Sequence, residues 1–310
     1  MTILLATDFD IVERAAWLEL LRAALPGETF VTEREVDRGD VDIALVANPP
    51  SGALQGLPKL ALIHSLWAGV DRLLADPTLP AQVPIVRMVD PAMNAAMAET
   101  ALWAVLGLHR GFFAYARRQR EAVWRPHAQR RADEVGVAVL GLGQMGRTAA
   151  LRIAAQGYRV IGWSARPVSI DGIETACGDA ALEPTLVRAQ VVVNLLPLTP
   201  ATRGLFDARR LARMQRGAGL VNLARGAHVV EPDLLAALDA GQLRHAVLDV
   251  FATEPLPPEH PFWRHPRVTV LPHAAAMTDA RSAAAIVAHN VAAFRRGEMP
   301  GPLVDRAKGY

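Results

Sequence analysis

The sequence predicts an α/β protein of two units, each with a parallel sheet covered by helices. Three observations predict it. Apolar, strand-like runs alternate with helix-like segments along most of the 310 residues. A glycine-rich turn, Gly141-Leu-Gly143-Gln144-Met145-Gly146, stands between one such run and one such helix. Pro126 and the polar stretch up to Glu134 interrupt the alternation and mark a boundary.

In order along the chain, residues 2–6 read as the first strand and 12–25 as the first helix, closed by Pro26-Gly27. Strands follow at 42–47, 60–64 and 84–88. A segment with few breakers, from 97 to about 124, reads as one long helix. After the boundary, strands are expected near 135–140, 158–163, 190–195, 218–223, 245–250 and 267–271, with helices between them. That count suits a doubly wound parallel sheet. A last helix, about 278–296, leads to a tail ending at Tyr310. Periodicity does not say which unit that helix joins.

The glycine turn carries the first functional signal. Val135-Gly-Val-Ala-Val-Leu140 is continuously apolar, as a strand buried on both faces should be. Residues 147–156 read as a helix ended by Gly157. Gly141 allows a tight turn, Gly143 lets a pyrophosphate approach the backbone, and Gly146 lets helix and strand pack closely. The helix N-terminus, with Gln144 and Met145, then faces phosphates with unpaired N–H groups and the positive dipole end. A glycine-rich turn of another α/β protein would look similar in isolation. The strand–turn–helix context favours a dinucleotide site.

Composition excludes several classes. The chain is 51% hydrophobic and 21% charged, with a net charge of +2. Its short basic pairs, such as Arg117-Arg118 and Arg130-Arg131, read as solvated helix faces, so no nucleic-acid partner is expected. Cys177 is the single cysteine and reads as structural; it allows no intrachain disulfide and fits a reducing, cytoplasmic compartment. No apolar run approaches the ~20 residues of a membrane span. The N-terminus lacks a basic region and meets Asp8 early, unlike a signal peptide. The histidines are dispersed without HxxxH or CxxC spacing, so no metal site is expected.

Three separated stretches supply the chemistry. Asn222-Leu-Ala-Arg225-Gly226, Asp249 through Glu254-Pro255, and Pro272-His273 offer a cation, a carboxylate and an imidazole. Reduction of a 2-keto acid by hydride needs that set. Arg225 can hold a carboxylate in a fork of donors. His273 can give the carbonyl oxygen its proton. Glu254 on the other ring nitrogen can set the tautomer and favour the protonated ring.

With Leu195-Leu196-Pro197-Leu-Thr199-Pro200, these motifs resemble the D-isomer-specific 2-hydroxyacid dehydrogenases. Glu254-Pro-Leu-Pro-Pro258, His265-Pro-Arg-Val268 and Val304 to Tyr310 are similar to the subgroup that reduces glyoxylate and hydroxypyruvate. The resemblance is strong over 135–310 and weaker before, where Ala68-Gly69-Val70-Asp71 is the main marker. It implies two Rossmann-like domains: a smaller flavodoxin-like substrate domain, 1–96 with 282–310, and a dinucleotide-binding domain, 97–281. The last helix would cross back to the first domain, and the cleft would lie between the two. It further implies that Arg225 binds substrate, that His273 is the general acid with Glu254 as partner, and that Ala68 and Gly69 offer backbone N–H groups to the carboxylate. Leu196 and Pro197 would line the adenosine, and Leu223 and Asp249 would sit at the nicotinamide, Asp249 accepting from the carboxamide. A homodimer through the long helix is implied. A dehydrogenase for a larger keto acid and a dinucleotide-sensing protein of the same fold are the alternatives.

Two features depart from the family pattern. Trp67 precedes Ala68 where close relatives carry Gly; it is either loop packing or a wall that narrows the substrate pocket. After the second strand of the cofactor unit stands Ser164-Ala-Arg166-Pro167, with no acid to hold ribose hydroxyls. Ser164 and Arg166 favour NADPH, with NADH also accepted.

Overall fold

The computed structural model describes residues 1–32 and 38–310. The chain divides into two compact units, Met1–Ala92 with Thr278–Tyr310, and Met93–Met277.

The first unit opens with β1 (Thr2–Thr7), α1 (Ile11–Ala24) and β2 (Thr29–Thr32). It continues with β3 (Val41–Ala47), β4 (Leu62–Ser65), α2 (Asp71–Leu74) and β5 (Ile85–Val86). These strands form a parallel sheet in the order β2-β1-β3-β4-β5, the flavodoxin-like arrangement. Ile3, Leu4, Leu5, Ile43 and Ile63 are fully buried, which is why the strands read as continuous apolar runs. Asp10 caps α1 by accepting from Glu13 N–H at 2.8 Å.

Next come α3 (Pro91–Arg110) and α4 (Phe112–Arg120), where the sequence suggests a single helix from 97. The start is earlier because Asp90 accepts from Ala92 N–H at 2.8 Å and Pro91 takes the first helical position. The helix breaks at Gly111, whose φ is +74°.

The second unit then runs β6 (Gly136–Leu140), α5 (Gln144–Ala154), β7 (Arg159–Ser164), β8 (Glu174–Cys177), α6 (Asp179–Arg188) and β9 (Val191–Asn194). It closes with α7 (Ala208–Arg213), β10 (Ala218–Asn222), α8 (Glu231–Asp239), β11 (Leu243–Leu248) and β12 (Val268–Val270). All pairings are parallel, in the order β12-β11-β10-β9-β6-β7-β8. Renumbered from β6, this is the Rossmann order 3-2-1-4-5-6 with a seventh strand added. Cys177 ends the edge strand β8 and is exposed; it has no core to pack in, contrary to its reading as structural.

α9 (Ala280–Arg295) belongs to the first unit. Buried Asn290 on α9 donates from Nδ2 to His64 Nε2 at 2.9 Å. Arg295 reaches Glu28 through two bonds of 2.7 and 2.8 Å and also pairs with Asp42. This multidentate arrangement exceeds what an isolated exposed ion pair provides.

Among the described residues no helix is long and apolar enough to cross a membrane, and no three His, Cys, Asp or Glu residues cluster as a metal site.

Candidate active site

Register builds the site. Across the second sheet the Cα partners run Trp163–Leu140–Asn194–Asn222–Leu248–Val270. One row of strand ends therefore carries the loops of Ser164 and Arg166, of Gly141 to Gly146, of Leu196 and Pro197, of Leu223 and Arg225, and of Asp249 and His273. In a parallel sheet this carboxyl edge is where ligands bind, at the point where strand order reverses. Here that point lies between β6 and β9.

The glycine turn occupies it. Gly141 has φ +96°, and a Cβ on it would lie 2.6 Å from the Leu195 carbonyl oxygen. A Cβ on Gly146 would lie 1.7 Å from the carbonyl oxygen of Gly141, so no other residue fits there. α5 begins at Gln144, two residues before Gly146, and buries Gly146, Ala149, Ala150 and Ile153 against the unit's core. Its N-cap is Gly143, which supplies no side-chain cap. No atom lies within 4 Å of the place a Gly143 Cβ would take. An uncapped helix start with open space above a glycine fits a pyrophosphate.

The imidazole and carboxylate are brought together. His273 Nδ1 lies 2.8 Å from Glu254 Oε2, while Glu254 Oε1 accepts from Phe251 N–H at 2.9 Å. The Glu254 bond holds the His273 pKa above its ordinary value, against partial burial and the nearby Arg225 charge. Burial pushes Glu254 upward, but the bonds from His273 and Phe251 outweigh it, and its carboxyl stays below the usual range. Arg225 is close enough for its charge to act on both. Nδ1 faces the carboxylate, which leaves Nε2 as the ring nitrogen not engaged by Glu254.

The backbone of His273 is held from below. Its φ is +55°, a left-handed conformation that a side chain other than glycine adopts only when its surroundings enforce it. Asp249 enforces it. The Asp249 carbonyl accepts from His273 N–H at 2.9 Å. Its carboxylate accepts from Ala274 N–H at 2.7 Å and from Ala275 N–H at 3.1 Å. Asp249 is buried, and that burial raises its pKa despite the backbone donors.

A sequence profile described as "D-isomer specific 2-hydroxyacid dehydrogenase, NAD binding domain" matches residues 102–275. The chain belongs to the D-isomer-specific 2-hydroxyacid dehydrogenase family. A glyoxylate/hydroxypyruvate reductase A of Serratia proteamaculans (strain 568) is 42% identical, over 95% of this chain and 96% of that protein. The crystal structure of a D-isomer specific 2-hydroxyacid dehydrogenase from Xanthobacter autotrophicus Py2, in complex with NADPH and MES, matches with a TM-score of 0.95 and 40% identity, over 100% of this chain and 99% of that one. That of an NADPH-dependent glyoxylate/hydroxypyruvate reductase from Sinorhizobium meliloti, with NADP and sulfate, matches with a TM-score of 0.93 and 37% identity, covering 100% and 99% of the two chains.

The other residues expected at the site fall as follows. Leu196 and Leu223 are buried, and Pro197 is half-buried in the loop after β9. Ser164 ends β7, and its hydroxyl donates to the Arg166 carbonyl, which tightens the turn. Trp67, Ala68 and Gly69 lie in the first unit, in the loop after β4. Ser65 shapes that loop: its Oγ donates to the Trp67 carbonyl at 2.9 Å and accepts from Trp67 N–H at 3.1 Å. The Trp67 ring meets Phe9 edge-on at 5.8 Å, and Phe9 stacks on Trp17 at 5.7 Å, so loop packing is one of its roles.

Sequence reasoning missed one part of the site. Asn194, Asn222 and His228 are fully buried; Asn194 Nδ2 bonds both of the others, and both of those donate to the Arg225 carbonyl. Buried polar groups require partners, but nothing local in the sequence pairs residues 28 and 34 positions apart.

Proposed function

We propose that this dehydrogenase reduces glyoxylate and hydroxypyruvate to glycolate and D-glycerate, with NADPH preferred and NADH accepted. The observation that carries the reading is the His273–Glu254 pair at 2.8 Å, with the Arg225 charge beside it, on the strand-end row that holds the glycine turn. The reduced nicotinamide supplies the hydride. Arg225 binds the 2-keto acid carboxylate through its fork of donors and orients the carbonyl. His273 gives its Nε2 proton to the carbonyl oxygen as negative charge develops there. Glu254 keeps the ring protonated until that step and steadies the imidazolium. Asp249 acts as a brace of the His273 loop and sits at the nicotinamide end.

The glycine turn with Gln144 and Met145 holds the pyrophosphate, Leu196, Pro197 and Leu223 line the dinucleotide, and Ser164 and Arg166 receive the 2′-phosphate. In the substrate domain, Ala68 and Gly69 present N–H groups to the carboxylate, and Trp67 limits the size of the keto acid. The second unit serves as the dinucleotide domain and the first as the substrate domain.

The chain acts as a cytoplasmic homodimer in this reading. α4 has no buried residue, and Trp103, Phe112 and Trp124 are exposed, which supports a partner surface there. Light scattering on the purified protein tests the dimer. A turnover screen of small 2-keto acids with NADPH and with NADH tests the activity. Turnover only with bulky keto acids would reassign the substrate, and NADPH binding without turnover would identify a dinucleotide sensor.

A further inference from the structure

We infer that His228 is a positioning residue that ties the carboxylate-binding loop of Arg225 to the dinucleotide-lining loop of Leu195, Leu196 and Pro197. The inference rests on Arg225 as the carboxylate ligand.

His228 is 0% exposed, as are Asn194 and Asn222. Both amides are oriented by backbone groups. Asn194 Oδ1 accepts from Leu196 N–H at 3.3 Å. Asn222 Oδ1 accepts from Ala224 N–H at 3.3 Å, and Asn222 Nδ2 donates to the Arg225 carbonyl at 3.0 Å. Asn194 Nδ2 therefore faces both neighbours as a donor. It donates to Asn222 Oδ1 at 2.9 Å and to His228 Nδ1 at 2.9 Å. With Nδ1 accepting, the proton of the neutral ring sits on Nε2, which donates to the Pro197 carbonyl at 3.3 Å. His228 N–H also donates to the Arg225 carbonyl, at 3.2 Å.

The two ring nitrogens thus hold different partners. Nδ1 locks Asn194, which locks Asn222, which clamps the backbone of Arg225. Nε2 holds Pro197. A fully satisfied buried polar chain admits few alternative arrangements, because any rotated amide leaves a buried group unpaired. That rigidity suits an arginine that must meet a small carboxylate in one orientation.

Two substitutions separate these partners. An Asn amide oxygen reaches the place of Nδ1, and a Gln amide nitrogen reaches the place of Nε2. His228→Asn should therefore keep the KM for glyoxylate at saturating NADPH and weaken NADPH binding, measured by calorimetry without substrate. His228→Gln should raise the KM more than the NADPH Kd, because Asn194 also holds Leu196 N–H. Each loss should be about three- to tenfold, the size of one neutral hydrogen bond. His228→Ala should move both constants. If a His228 variant melts far below the wild type, Asn222→Ser removes the same clamp on Arg225 and must raise the KM. Equal effects of the Asn and Gln variants on both constants, or unchanged constants in His228→Ala, overturn the inference. Arg225→Lys serves as the control. An unchanged KM there would remove Arg225 as the carboxylate ligand, and this inference with it, whatever the His228 variants do.

Discussion

Nδ1 of His273 lies 2.8 Å from Oε2 of Glu254, across 19 residues of sequence. One oxygen of the carboxylate faces the ring and the other accepts from Phe251 N–H, so the carboxylate cannot rotate away without losing a bond. The pair sets the tautomer of His273 and keeps its ring protonated to higher pH.

His273→Ala should lower kcat for glyoxylate reduction by about 10²–10⁴, the usual contribution of general acid–base catalysis. NADPH affinity should hold, since the glycine turn lies on other strands. A variant that kept near-normal kcat would remove His273 from the role of acid.

Glu254→Gln should shift the pH profile. The ring's pKa is raised chiefly by its bond to Glu254, so the protonated donor persists above the ordinary histidine range. With His273 as the acid, kcat/KM should be retained below the pKa and fall as pH rises through it. Without the negative charge the pKa drops, and the alkaline fall moves to lower pH. An alkaline limb in the same place in both enzymes would refute the pairing as the cause.

Cofactor choice should follow Ser164 and Arg166. A charge-assisted bond from Arg166 to the 2′-phosphate would favour NADPH by about 10- to 150-fold at most. Ser164→Asp with Arg166→Ala should reverse the preference and leave the KM for the keto acid nearly unchanged. Comparing kcat/KM for the two cofactors checks it; a wild type that already prefers NADH would defeat the assignment.

Acid stability should depend on His64 and His245. Burial pushes each down to about 4. His64 Nε2 accepts from Asn290, and His245 stacks on Phe113 at 4.6 Å between ring centres. The unfolded chain titrates near 6.5, so between the two values it binds more protons than the folded chain. Stability is therefore lost as pH falls from about 6.5 toward 4, by on the order of 2–4 kcal/mol per histidine. His64→Gln should flatten the fall in unfolding midpoint between pH 7 and 4.5. A slope identical to wild type would show that other groups control it.

Much of this protein was legible in the sequence because its signals are local. A strand buried on both faces must be apolar throughout, so β1, β3, β6 and β9 announce a parallel sheet. Gly141 and Gly146 are dictated by contacts within the turn and with the chain just after β9, whereas Gly143 faces open space. Arg225, Glu254 and His273 were identifiable as residue types in ordered motifs. The edge strands β2 and β8 were not, because neither is an apolar run: β8 is largely exposed and β2 begins and ends in threonine. The break at Gly111 was not legible because a lone glycine inside a helix-like pattern is often tolerated.

The tertiary structure decided what depends on register and on partners distant in sequence. Chain order alone does not align Trp163, Leu140, Asn194, Asn222, Leu248 and Val270 in one row; backbone pairing between strands does. Nor does Asp249 reveal that its carboxylate supports a left-handed His273, or His228 that Nδ1 meets Asn194 at the end of β9 and Nε2 the Pro197 carbonyl in the loop after it. Those roles arise because a buried polar group must find its partner in space, and the fold determines which one it finds.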